Sequence, residues 1–317
     1  MSRWTLSPLR AKRLSLLGCA AAMSVLVAWG CKTMEPVTQF AASVGVATGT
    51  ITPDQARSMT RVAGAVGKSF EDITPEQEYY IGRAVAASVI GKYRPYGNEA
   101  ANHYVNLVGQ TLAQASKRPE TFGGYHFLIL DSGEINAFAA PGGLILVTRG
   151  MLRLCKNEDE LAAVLAHEIG HVEGQHGLRA IKSSRLTTAF TVLAQESVRQ
   201  LAGGEIGQLM EAFEGSVGDV VSTLTTSGYS RELEREADKS AVAILKGVGY
   251  DPRGLTAMLA EMHARLRPGG LDFAKTHPDP NDRISDVESL IQARGPAPSP
   301  ASASIRTKRF QQAMKSI

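Results

Sequence analysis

The chain has 317 residues, 44% hydrophobic and 21% charged, a balance that suits a protein with a full core and excludes a disordered or fibrous one. Its formal charge is +3, but Arg3, Arg10, Lys12 and Arg13 put four cations and no acid into the first thirty residues, so the remainder carries −1. That near-neutral balance excludes a general nucleic-acid binder.

In chain order, the first feature is a secretion signal. A basic segment ends at Arg13 and an apolar run follows from Leu14 to Trp29. At 16 residues the run is short for a membrane span. Gly30-Cys31 comes next, a small residue before a cysteine, and resembles a bacterial lipoprotein signal. Cys19 has the better local match, in Leu16-Leu17-Gly18-Cys19, but leaves only five residues after Arg13 for an apolar core. We therefore expect a signal peptide over residues 1–30, lipidation at Cys31 and a loosely packed lead-in over 31–70. By analogy with such lipoproteins, Lys32 points to the outer membrane. Only Cys155 then remains, too few for an internal disulfide, and it reads as a small buried residue.

The main domain is expected over residues 71–294. Thr74 before Pro75 opens a helix to about Tyr93, and a second runs from about Asn98 to Ala115. Tyr125 to Leu130 is a predicted strand. Ile135 to Phe138 and Leu144 to Thr148 are a predicted hairpin around Pro141-Gly142-Gly143. An exposed strand edge here would hold an extended peptide by backbone hydrogen bonds.

Asn157 is the predicted N-cap of the next helix, with Glu160 in capping-box position and acids in the first turn. This helix carries His167-Glu168-Ile169-Gly170-His171. Residues four apart share a helix face, so His167 and His171 aim two imidazoles at one zinc ion. Glu168 lies one step round, placed to act as general base on a water. His176 does not fit as a third ligand: on a continuous helix its offset turns the ring away, which makes it a supporting or surface residue.

Residues 178 to 228 read as two amphipathic helices broken near Gly203-Gly204; Glu196, Arg199, Glu205, Glu211 and Glu214 interrupt every apolar run. A helix from about Ser230 to Lys246 follows. Glu234 and Asp238 share its small, apolar face, where an acidic pair is costly unless compensated. A zinc ion held by Glu234, with Asp238 orienting His167 or His171, compensates both. Glu232 and Glu236 alternate with arginines and read as a solvated face. Asp251-Pro252 starts another helix, and a final one spans about Pro280 to Ala293. The Pro/Ala/Ser-rich tail, 295–317, is expected to be disordered.

His167-Glu168-x-x-His171 followed by Glu234-x-x-x-Asp238 resembles the HtpX and CAAX-prenyl-protease family of gluzincin metallopeptidases. Asn136 to Gly143, Gly249-Tyr250-Asp251-Pro252, and Thr276-His277-Pro278 with Arg283 resemble its soluble periplasmic branch, the BepA-like and LoiP-like enzymes. The resemblance covers about residues 70 to 294. It implies an α+β, mostly helical zincin-type domain with a small β-sheet beside the active-site helix. It implies one zinc per chain on His167, His171 and Glu234. It gives His277 a role at the metal, as an inhibitory fourth ligand or as a helper that polarises the substrate carbonyl, with Arg283 orienting its loop. The expected activity is endoproteolysis of misfolded or misassembled envelope proteins from the periplasmic face of the outer membrane, with peptide substrates, a lipid anchor and the envelope assembly machinery as partners. The alternative is a zinc-stabilised chaperone or assembly factor with little turnover.

Overall fold

The computed structural model describes residues 73–182, 185, 203–265, 280–292 and 299–317. Cys31, the lead-in and His277 lie outside these residues. The described residues fall in one unit, Ser69–Ala189 with Ala202–Ile317.

Helix α1, Pro75–Lys92, opens on a complete capping box. Thr74 Oγ1 accepts from Gln77 N at 3.2 Å, and Gln77 Oε1 accepts from Thr74 N at 2.9 Å. Helix α2, Glu99–Ala113, is capped by Asn98. The sheet has three strands: β1, His126–Leu130; β2, Ala137–Ala140; and β3, Leu144–Thr148. Their order is β1-β3-β2, with β1 parallel and β2 antiparallel to β3. The expected hairpin is therefore present. Its outer edge differs from expectation, because all four residues of β2 are buried and both α1 and the metal-site helix pack on this strand.

A short helix α3, Arg149–Leu154, leads to Cys155, which is buried as expected. Burial pushes its thiol pKa well up, so it is no nucleophile. Helix α4, Glu158–Glu173, carries the His-Glu-x-x-His motif, and every residue from Glu158 to Val172 is buried. A helix covered on all sides forms the centre of a core rather than one of its faces. Full burial of Leu161, Leu165 and Ile169 contributes about 1.5–3 kcal/mol for each side chain, as an upper range. Asn157 Oδ1 caps α4 by accepting from Glu160 N at 3.0 Å, while Glu160 Oε2 reaches one residue further back, to Lys156 N at 2.7 Å.

After a left-handed residue at Gln175 comes the single turn α5, His176–Arg179. Helix α6, Gly203–Ser222, starts at the glycine pair and runs into a π-helical turn, Thr223–Ser227. Helices α7, Arg231–Gly247, α8, Arg253–Arg265, and α9, Pro280–Gln292, follow. Among the described residues, no helix is long and apolar enough to cross a membrane.

The expectation of a disordered tail is corrected. Residues Pro300–Ala313 form a helix, α10, capped by Ser299 with a proline in its first turn. It packs on α4 and α2 and buries Phe310. Arg306 Nη2 lies 3.0 Å from Asp159 Oδ1, and Arg309 bonds Glu158. Tyr104 Oη and Tyr250 Oη also donate to Glu158, at 2.5 and 2.6 Å. The composition of the tail is that of a disordered segment, but its helix is held by two buried acids about 150 residues earlier.

Burial pushes the Glu158 carboxyl up, but the bonds from Arg309, Tyr104 and Tyr250 outweigh it and hold the group below its ordinary 4.5. A depressed carboxylate contributes stability that is complete above pH 4.5 and lost as the pH falls through the lower folded value. Arg309→Ala should therefore lower stability at neutral pH and reduce the further loss on acidification. Urea midpoints at about pH 6 and about pH 3.5 measure this. An acid-induced loss as large in the variant as in the wild type would remove the Glu158 clamp from the account.

Candidate metal centre

Two helices cross closely enough to make the site. A Cβ built on Gly170 of α4 would lie 2.7 Å from the backbone oxygen of Ala237 and 3.0 Å from its Cα. Only a glycine lets the backbones of α4 and α7 approach this far. The crossing places Glu234, one turn before Ala237, against the histidines of α4.

His167 Nε2 lies 3.5 Å from Glu234 Oε2, and His171 Nε2 lies 3.4 Å from Glu234 Oε1. The two Nε2 atoms are 3.1 Å apart. One ligand atom from each of His167, His171 and Glu234 falls within 4.8 Å of the others, and all three residues are buried. This is the donor set of a catalytic zinc site with three protein ligands.

The second nitrogen of each ring is held from behind. Asp238 Oδ1 lies 2.9 Å from His167 Nδ1, so the orienting carboxylate expected for one of the two histidines serves His167. On His171, Nδ1 meets His176 Nδ1 at 2.8 Å, and the Tyr229 ring stacks on His171 with centroids 4.3 Å apart. Burial alone would push Asp238 up, yet Arg283 and His167 hold it at about 2. Burial drives the His171 pKa well below its ordinary 6.5, whereas at His167 the opposing push of burial is outweighed by Asp238 and Glu234, which raise that ring to about 9; binding a metal there would release the proton.

Arg283 of α9 completes the cluster. Its Nε and Nη2 donate to Asp238 Oδ2 and Oδ1 at 2.8 and 2.6 Å, and its Nη1 lies 2.8 Å from Glu234 Oε2. The sequence reading ties Arg283 to the His277 loop, which lies outside the described residues; within them its guanidinium grips the two carboxylates of α7. Glu168 is buried beside His167. Glu232 is exposed, as expected. Glu236 is exposed as well, and from the surface its Oε2 also reaches His176 Nε2 at 3.1 Å. Sequence reasoning missed Tyr229 altogether. Its only sign was an aromatic residue directly before Ser230, the N-cap of the helix that bears Glu234.

Removing Arg283 leaves two buried carboxylates without their cation. Arg283→Met should destabilise the chelator-treated protein by roughly 3–5 kcal/mol, the usual scale for breaking a buried ion pair. Denaturant unfolding measures this, and an unchanged midpoint would mean that the clamp contributes no net stability.

Residues 99–291 match Peptidase family M48. The chain is 26% identical to a beta-barrel assembly-enhancing protease of Escherichia coli strain K12 over 222 residues, which cover 69% of this chain and 45% of that protein. It is 33% identical to mitochondrial metalloendopeptidase OMA1 of Schizosaccharomyces pombe over 158 residues, covering 49% and 43%. With metalloprotease LoiP of Escherichia coli strain K12 the identity is 29% over 163 residues, covering 51% and 61%. The chain thus spans about half the length of the curated relatives it matches. Zinc is the metal of this family, and the His167, His171 and Glu234 donors suit it. Since the match runs from Glu99 in α2 to Ile291 in α9, and so takes in both crossing helices and the arginine that clamps them, the chain belongs to Peptidase family M48.

Proposed function

We propose that the chain is a zinc-dependent endopeptidase of the cell envelope, with His167, His171 and Glu234 as its metal ligands and Glu168 as its general base. The observation that carries this reading is Glu168, a carboxylate buried next to His167 on the ligand helix. A purely structural zinc site is closed by four protein ligands and has no use for an adjacent base. Zinc, when bound, supplies a Lewis acid that polarises a peptide carbonyl and makes water acidic enough to ionise near neutral pH. Glu168 takes the proton of the attacking water and passes it to the leaving amine. Asp238 keeps the Nδ1 proton of His167 in place and leaves Nε2 as the donor atom.

The substrates we propose are misfolded or misassembled envelope proteins. The support is the Escherichia coli relative, a beta-barrel assembly-enhancing protease. A zinc-stabilised assembly factor with little turnover is the rival, and one assay separates them. Glu168→Gln should keep full zinc occupancy and lose casein-cleaving activity by at least about a hundredfold. In the same series, Glu234→Ala should lose zinc, whereas Glu232→Ala should keep it. Casein cleavage that survives in Glu168→Gln would sink the proposed mechanism. Equal zinc in the two α7 variants would sink the ligand assignment.

We also place the protein on the periplasmic face of the outer membrane, anchored through a lipid on Cys31. The support is the order of the leader: four cations, an apolar run that stops at Trp29, then Gly30-Cys31. Cys31→Ser should abolish incorporation of labelled fatty acid and leave the precursor uncleaved. Labelling that persists in this variant and disappears in Cys19→Ser would move the anchor to Cys19.

A further inference from the structure

We infer that His176 is a positioning residue for the metal ligand His171, and that Glu236 completes this arm at the surface. The inference rests on the proposed ligand set. His171 Nδ1 and His176 Nδ1 are 2.8 Å apart, so one must donate and the other accept. If His171 gives its Nε2 lone pair to the metal, its proton is on Nδ1 and points at His176. His176 then accepts at Nδ1 and carries its own proton on Nε2. That proton faces Glu236 Oε2 at 3.1 Å. The carboxylate is held in turn by Arg179 Nη1 at 2.6 Å. Every group along this arm is satisfied by one arrangement of protons, and that arrangement leaves Nε2 of His171 unprotonated toward Glu234.

The local backbone is shaped to make this contact. On a continuous α4, position 176 would face away from His171. The helix ends at Glu173, and Gln175 adopts φ 52, a left-handed conformation that a side chain of this size rarely takes. The turn brings residue 176 back under the helix, where its ring is fully buried. Gly174 leaves the space: a Cβ there would lie 2.2 Å from His176 Nε2 and 2.6 Å from Cδ2. An imidazole packed on one side by His171 and on another by Tyr229 has no room to retreat.

The test is the zinc dissociation constant of the purified full chain, measured by competition with a chromogenic chelator. His171→Ala tests the ligand set: if it binds zinc as tightly as the wild type, that reading fails, whatever His176 does. Given loss of binding in His171→Ala, His176→Ala should weaken zinc by about ten- to a hundredfold, the scale for removing a group that orients a ligand. His176→Asn puts an amide oxygen where Nδ1 stood and should restore most of the affinity. His176→Gln fills the same space without an acceptor at that point and should not. Gly174→Ala, which displaces the ring, should resemble His176→Ala. Glu236→Ala, on the exposed side of the arm, should weaken zinc by about three- to tenfold, a smaller effect because it acts through one more bond. Wild-type affinity in both His176→Ala and Glu236→Ala would overturn the inference, and so would equal rescue by Asn and Gln.

Discussion

The structure depends on how closely α4 and α7 approach at Gly170 and Ala237. Two helices with ordinary side chains at their contact pack 8–10 Å apart, and a glycine there brings the axes nearer. Because Gly170 lies between the two histidines in sequence, the closest point of the crossing is the point where the ligands must meet. Glu234 is one turn before Ala237 and Asp238 one residue after it. The same geometry therefore puts one carboxylate on the Nε2 side of the rings and the other behind His167. A methyl group at position 170 would meet backbone, which cannot rotate out of the way. Separation of the two helices would open every distance in the cluster together.

Such a crossing carries a large electrostatic cost, and the fold meets it at both ends of α4. Glu158 and Asp159 are buried at its start, and Glu168, Glu234 and Asp238 near its end. Each buried carboxylate is unfavourable by several kcal/mol unless a cation and hydrogen bonds compensate it. The cations come from the far end of the chain: Arg283 on α9 for the metal cluster, Arg306 and Arg309 on α10 for the first turn. The central helix is thus satisfied only once segments more than a hundred residues away have docked. Local propensity starts α4, through Asn157, but tertiary contacts make it tolerable.

What was legible in the sequence follows that division. The starts of α1 and α4 could be read because their signals lie within four residues: Thr74 with Gln77, Asn157 with Glu160. The ligand set could be read because both halves of it repeat at i and i+4, and because Glu234 with Asp238 on an apolar face demands a partner. The α7 contacts of Arg283 could not be read, since nothing in its own helix points to Glu234 and Asp238. The helical tail was hidden by its composition, which is that of a disordered segment until Glu158 and Asp159 are set beside it. Glu236 was read as part of a solvated face and is exposed; its contact with His176 could not be read, because it depends on the bend at Gln175.

His176 shows where the helical rule stops. The rule that position 176 turns away from the metal is correct for an unbroken helix, and the chain breaks the helix at Gln175 to escape it. The outcome is a pair of unequal arms. His167 is backed by a buried carboxylate locked to an arginine, a rigid and strongly acidic partner. His171 is backed by the His176 imidazole, whose own partner Glu236 is half exposed. The Tyr229 ring stacks on the face of His171 and holds that arm from a second side. The two histidines of one motif are chemically distinct because the backbone beyond the second one was bent to supply a different neighbour.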